Sequence, residues 1–217
     1  MANTKNAGSI SAFKSQLAFG GARPNLFMAT VNFPGLGIQG EEGEDAPSSY
    51  PGWTNDLQNN FKFMCKAAAL PASNLGVIEV PFRGQTLKVA GDRTVDTWTV
   101  TVINDEHFGI RKAFEDWVNI TNNINNVGGL VAPSTYMGNA DVYQLSRSTT
   151  ETTTENDEGE EETETGNNVL AHYKFKSIFP TAVSQIDLSF DSSDTIEEFT
   201  VEFQVQYWRR MSLAATE

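Results

Sequence analysis

Few residue patterns in this chain could support chemistry. Gly35-Leu36-Gly37-Ile38-Gln39-Gly40 spells G-x-G-x-x-G after a strand-like stretch, the spacing that seats a pyrophosphate on a helix N-terminus. The residues that follow, Glu41-Glu42-Gly43-Glu44-Asp45, deny such a helix its apolar face and repel phosphate, so the motif reads as a flexible loop. His107 and His172 are the only histidines, and neither has Cys or His partners at metal-ligand spacing. Asp92, Asp96 and Asp105 could be paired carboxylates, but a turn, a strand entry and a helix cap account for them. The acidic run 151–164 lacks the D-x-[DN]-x-[DN]-G order of a calcium loop and reads as a solvated, self-repelling segment. The single Cys65, inside Phe61-Lys62-Phe63-Met64-Cys65, has no internal disulfide partner and reads as a buried core thiol. No basic cluster with interleaved aromatics is present, which argues against a sequence-reading nucleic-acid binder. These residues support neither an enzyme nor a cofactor or metal site.

The elements that would position any site are more legible. Val95 to Ile103 alternates, with Trp98, Val100 and Val102 on one face and Thr97, Thr99 and Thr101 on the other, the period-two signature of a half-buried strand. It is preceded by a turn at Ala90-Gly91-Asp92 and followed by a helix start at Asn104-Asp105-Glu106, where Asn104 or Asp105 can cap. Ile110, Phe114, Trp117, Val118 and Thr121 then form one helix face. Trp98, Val100, Val102, Phe114 and Trp117 are the expected core anchors. Ile10, Phe13 and Leu17 suggest a short N-terminal helix or docking arm. Asn25 to Phe33 and Phe61 to Lys66 read as strands, the latter with Phe61, Phe63 and Cys65 inward. Val77 to Val89 is extended but interrupted at Pro81 and Gly84, which favours an edge or a bulge. Asn125 to Gly129 reads as a turn. Asp141 to Arg147 and Val169 to Ile178 read as a hairpin whose tip the acidic run extends. A second hairpin pairs Ser184–Phe190 with Phe199–Tyr207. The fold expected is one mainly β domain over 1–217 with one main α-helix and two packed antiparallel sheets, sandwich- or barrel-like.

The chain of 217 residues carries a net charge of −13. Residues 36–60 contribute −5 and residues 149–166 contribute −8, neither stretch holding a lysine or arginine, so the remainder is formally neutral. Acidity therefore belongs to two loop insertions rather than to the fold. No apolar run approaches the ~20 residues that span a bilayer, and the N-terminal residues lack the apolar stretch of a secretory signal.

Several of these stretches together resemble the tail-tube proteins of contractile, T-even-type bacteriophages. The matching residues are Ala22-Arg23-Pro24-Asn25-Leu26-Phe27, Cys65-Lys66-Ala67, Leu70-Pro71-Ala72, Ala90-Gly91-Asp92-Arg93-Thr94, Asp96, Trp98 to Val102, Asn104-Asp105-Glu106 and a last strand closing on Tyr207-Trp208. The resemblance implies a structural subunit that forms hexameric rings, each copy giving four strands to a closed barrel of about 24. At ~4.8 Å between strands and up to ~45° tilt, the backbone diameter is about 37 to 52 Å, room for a DNA duplex. It further implies stacking of rings with copies of itself, and contact with tail sheath, baseplate, tail terminator and tape-measure proteins. Double-stranded DNA would pass without specific binding, and no membrane would be entered. The location implied is the virion tail, assembled in the host cytoplasm. Tubes of type VI secretion systems or phage-derived contractile injection machines share that architecture; a small-molecule enzyme on a β-sandwich is the reading from another class. Under this resemblance the polar face of the last hairpin, Gln185, Asp187, Ser189, Thr200, Glu202, Gln204 and Gln206, is the candidate lumen lining. It carries no lysine or arginine to hold DNA.

Overall fold

The computed structural model describes residues 9–17, 20–34, 55–122, 129–130, 132–155, 161–191 and 194–212. The G-x-G-x-x-G stretch, the acidic residues 36–54, the insert tip 156–160 and most of the 125–129 turn lie outside them. The elements are α1 (Ile10–Gln16), β1 (Phe27–Asn32), α2 (Asn55–Met64), β2 (Cys65–Ala68), β3 (Asn74–Phe82), β4 (Gln85–Thr94), β5 (Trp98–Ile103), α3 (Gly109–Thr121), α4 (Pro133–Tyr136), β6 (Gly138–Glu155), β7 (Glu161–Val183) and β8 (Glu198–Met211). Six strands form one sheet in the order β1-β6-β7-β8-β5-β2, and β3 and β4 form a separate two-stranded sheet. The fold is thus mainly β, as the alternation predicts.

The chain falls into two units. One comprises residues 28–143 and 171–217 and contains the core. In it β5 pairs antiparallel with β8, Trp98 opposite Phe203 and Val102 opposite Phe199, so both strands turn the same apolar face inward. Trp98, Val100, Val102, Phe199, Val201, Phe203 and Val205 are buried. Helix α3 lays Ile110, Ala113, Phe114 and Trp117 on that layer. Phe114 meets Phe203 edge-on at 5.8 Å, and the Trp117 ring lies 4.3 Å from Phe33. Trp117 also donates from Nε1 to the Tyr136 carbonyl at 2.7 Å, satisfying its one polar atom. All five expected core anchors are in this layer.

Local expectations are corrected at several points. Asn55–Met64 is a helix where a loop running into a strand was expected; Phe61 is buried against Phe114, but Phe63 is 83% exposed. The Phe61/Phe63 alternation misleads because Leu57, Phe61 and Cys65 also stand four apart, a helical period. Ala90-Gly91-Asp92 is not a turn but part of β4, at a register shift opposite Gly76. A Cβ on Gly91 would stand 3.2 Å from the Gly76 backbone, so two glycines let the paired strands approach closely at the register shift. The reversal is at Arg83-Gly84, both at positive φ, the two-residue turn that joins strands with the native twist. Helix α3 starts at Gly109 rather than Asn104: Phe108 is its N-cap in the left-handed region, without side-chain capping. Asn104 instead donates from Nδ2 to Glu197 at 3.0 Å. Ser184–Phe190 is not a strand; β7 ends at Val183, and Leu188 and Phe190 are exposed. Inside β7, Ser177 has φ 54, and the buried positions on either side, Phe175 and Ile178, are three apart instead of two or four.

The other unit comprises residues 1–27 and 144–170. It holds α1, whose Ile10 and Phe13 are exposed, and the outer parts of β6 and β7. Gln144 donates from Nε2 to the carbonyls of Arg23 and Leu26, and Asn167 to that of Ser146. The expectation of a loop at 149–166 is corrected: β6 continues to Glu155 and β7 begins at Glu161, so the acidic run lengthens the hairpin itself.

Candidate assembly surfaces

Three surfaces of the core unit carry the groups that could meet a partner. The first is the outer face of β8. Thr200, Glu202, Gln204 and Gln206 alternate there with the buried Phe199, Val201, Phe203 and Val205. The β5 register adds Thr99 opposite Glu202 and Thr101 opposite Thr200, extending one polar, weakly acidic face that the sequence reading assigned only to the last hairpin. Gln185, Asp187 and Ser189 do not join this face. They lie after β7, in residues 184–191, where Gln185 donates to Asp187 at 3.2 Å. That stretch is anchored at its start, with Ser184 N–H bonded to the Thr200 carbonyl and Thr200 N–H to Ser184 Oγ.

The second surface is the β3–β4 ribbon. Every described position of β3 is exposed, yet Leu75, Val77, Ile78, Val80 and Phe82 are among them, with Leu87 and Val89 on β4. A two-stranded ribbon in water is marginal, and this much exposed apolar area marks a protein-contact surface. Arg93 packs its guanidinium over Trp208 at 4.8 Å, and Trp208 donates to the Ala72 carbonyl, which fixes the ribbon's base. Sequence reasoning missed it because Pro81 and Gly84 looked like interruptions. The signal lay in two apolar runs flanking a two-residue Arg-Gly turn.

The third is an open groove of about 530 Å³ on the β7–β8 connection, lined by apolar Ile186, Leu188, Phe190 and Ile196 and acidic Asp187, Glu197 and Glu198. Lys66 pairs with Glu198 at its border.

The groups singled out for chemistry are dispersed. His107 is exposed, whereas His172 bonds from Nε2 to the buried Asp141 at 2.7 Å and stacks on Tyr143 at 4.3 Å. This pair ties β6 to β7, and burial together with the Asp141 charge pushes the Tyr143 phenol up. Asp96 accepts from Asn74 at 2.6 Å, and Asp92 lies in the β4 bulge. Cys65 is buried, and its thiol is pushed up to about 12 by desolvation. Among the described residues no group of three His, Cys, Asp or Glu could hold a metal ion.

Fold and surfaces together define a β-sheet protein whose exposed chemistry suits contact with other proteins. Among solved structures the chain is similar to a protein in the six-fold symmetrised baseplate of the anti-feeding prophage, with TM-score 0.55 and 9% identity over 89% of this chain and 97% of that one. It is also similar to one in that particle's tube-terminating cap, at 0.51 and 14% over 89% and 92%. These likenesses show a shared fold. The sequence profile of the phage tail tube proteins matches residues 22–211. The tail tube protein gp19 of Enterobacteria phage T4 is 33% identical over 189 residues, 86% of this chain and 90% of the T4 protein, and that of phage T6 matches over the same extent. The chain belongs to the phage tail tube protein family.

Proposed function

We propose that this chain is the repeating subunit of a contractile-tail inner tube. Copies join into six-membered rings, rings stack into a tube, and DNA passes from capsid to host through the bore. The role is structural and not catalytic. The observation that carries this reading is the β3–β4 ribbon: its exposed apolar positions need a partner, and a second copy is the partner that the tube family supplies. Edge-to-edge closure through the outer strands β1 and β2 of neighbouring copies would remove both open edges of the six-stranded sheet, at six strands per copy rather than the four the resemblance implies. Ring-on-ring contact is heterologous and extends without limit. Sheath, baseplate, terminator and tape-measure proteins are the remaining partners. The subunit belongs in the virion tail and assembles in the host cytoplasm. Negative-stain microscopy of the purified protein tests this: rings or tubes with a central hole are expected, and dispersed particles at every concentration would refute it.

Within that reading, the polar face of β8, with Thr200, Glu202, Gln204 and Gln206, lines the bore. Its neutral-to-negative character repels phosphate weakly, and screening confines the effect to about 8 Å at physiological salt. Substituting Gln204 and Gln206 by lysine should make tubes retain DNA, most visibly at low salt. Unchanged release, with both positions labelled on the tube's outside, would assign this face to the sheath.

A further inference from the structure

The reversal of the β3–β4 ribbon is made by Arg83-Gly84, with φ 46 and 84. Such a turn favours Asn, Asp or Gly at its first position, because a side chain with a Cβ is strained there. Arginine in that place carries a local cost: among the described residues Arg83 makes no salt bridge, and its guanidinium stacks 5.4 Å over the exposed Phe82 ring. The ribbon therefore ends in a compact aromatic and cationic tip. Strain of this kind persists where the side chain is wanted for contact.

The groove on the β7–β8 connection has the complementary chemistry. Ile186, Leu188, Phe190 and Ile196 give it apolar walls, and its acids have few cations to meet. Residues 184–198 carry Asp187, Asp191, Asp194, Glu197 and Glu198 with no lysine or arginine, whereas residues 74–94 carry Arg83, Lys88 and Arg93 against Glu79 and Asp92. Asn104 donates from Nδ2 to Glu197, one of the groove's acids. The groove thus combines carboxylate acceptors with apolar surface, and Lys66 on Glu198 is the one salt bridge to its acids among the described residues. A guanidinium is rich in donors, and an aromatic ring fills apolar space.

We propose that the Phe82-Arg83 tip of one copy seats in the Ile186–Glu198 groove of a second copy, Phe82 against Leu188 and Phe190 and Arg83 among Asp187 and Glu197. This rests on the tube reading above and names the contact between copies. Because tip and groove are different surfaces, the contact is heterologous and each copy offers one of each.

Arg83→Asn and Arg83→Asp both suit the turn better than arginine, so a purely structural role predicts a subunit as stable as the wild type, or more so, with unchanged assembly. The proposal predicts stability at or above the wild type in urea melts together with a rise of about tenfold in the concentration needed for tubes, larger for Arg83→Asp. Asp187→Arg in the Arg83→Asp chain should restore assembly. Independently, a mixture of Phe82→Cys and Phe190→Cys chains should form an oxidised heterodimer in tubes and none when dispersed; the native Cys65 is buried and does not compete. Tubes at the wild-type threshold from Arg83→Asn, or charge exchange without rescue and no cross-link, overturns the contact while leaving the tube reading intact. Wild-type protein that never assembles removes both.

Discussion

Trp98→Ala is the perturbation that most directly tests the core. Trp98 is 3% exposed, stacks on Phe175 with ring centroids 4.7 Å apart, lies 5.4 Å from Phe203, and donates from Nε1 to the Ala69 carbonyl at 2.9 Å. Truncation exposes or voids about 150–200 Å² of aromatic surface, which at ~25 cal/mol per Å² is about 4–5 kcal/mol. Large-to-small core substitutions at aromatic sites cost about 3–5 kcal/mol, so the two routes agree. Trp98→Phe keeps the stack and removes only the N–H donor, with an expected cost of about 1 kcal/mol plus a small void. Urea melts of dilute, unassembled subunit measure both, with the slope checked for constancy. A Trp98→Ala loss under 1 kcal/mol would refute the placement of this ring, and equal losses for both variants would refute the dominance of packing over the hydrogen bond.

Deleting residues 151–164 removes eight carboxylates and should leave the core unit folded, with net charge rising from −13 to −5; an insoluble product or a lost cooperative melt would count against it. Gly138→Ala should destabilise by about 1–3 kcal/mol, because a Cβ there would stand 2.8 Å from the Trp117 ring and closer still to the Asn32 carbonyl. A melt unchanged within error would show that β1 and β6 can part there. Cys65 should resist thiol reagents at pH 8 until the protein unfolds. Its pKa is raised to about 12, so the native state holds the proton and loses stability as pH climbs from 9 towards 12. Rapid labelling of native protein at pH 8 would contradict the burial.

Where sequence predicted well, one face of an element was fully buried. Trp98, Val100 and Val102 declared β5, and Ile110, Phe114 and Trp117 declared α3, because burial on one side forces a strict period. Where it failed, both sides were solvated or the backbone took an unusual turn. Leu57–Phe61–Cys65 and Phe61–Phe63–Cys65 fit two periods equally, and only packing against Phe114 decides between them. Ile186, Leu188 and Phe190 alternate like a strand, but β8, their expected partner, is already paired on both edges, with β5 and β7. The polar face of β8 was legible as alternation. That Thr99 and Thr101 continue it follows from the β5–β8 register, and the groove needs a loop conformation that no period encodes.

The outer strands of the six-stranded sheet are short. β2 has four residues with an irregularity between Cys65 and Ala67, and β1 has six. Short, kinked edges pair weakly, which protects a lone subunit from sticking to the wrong neighbour. In the ring proposed above, the same weakness would make every joint of an unfinished arc reversible, since an arc keeps two free ends and gains little per addition. The closing joint of such a ring would differ: its two ends would already be tethered, so it would form at high effective concentration and remove both ends at once. Assembly of that ring would then pass from labile arcs to a durable closed form in one step.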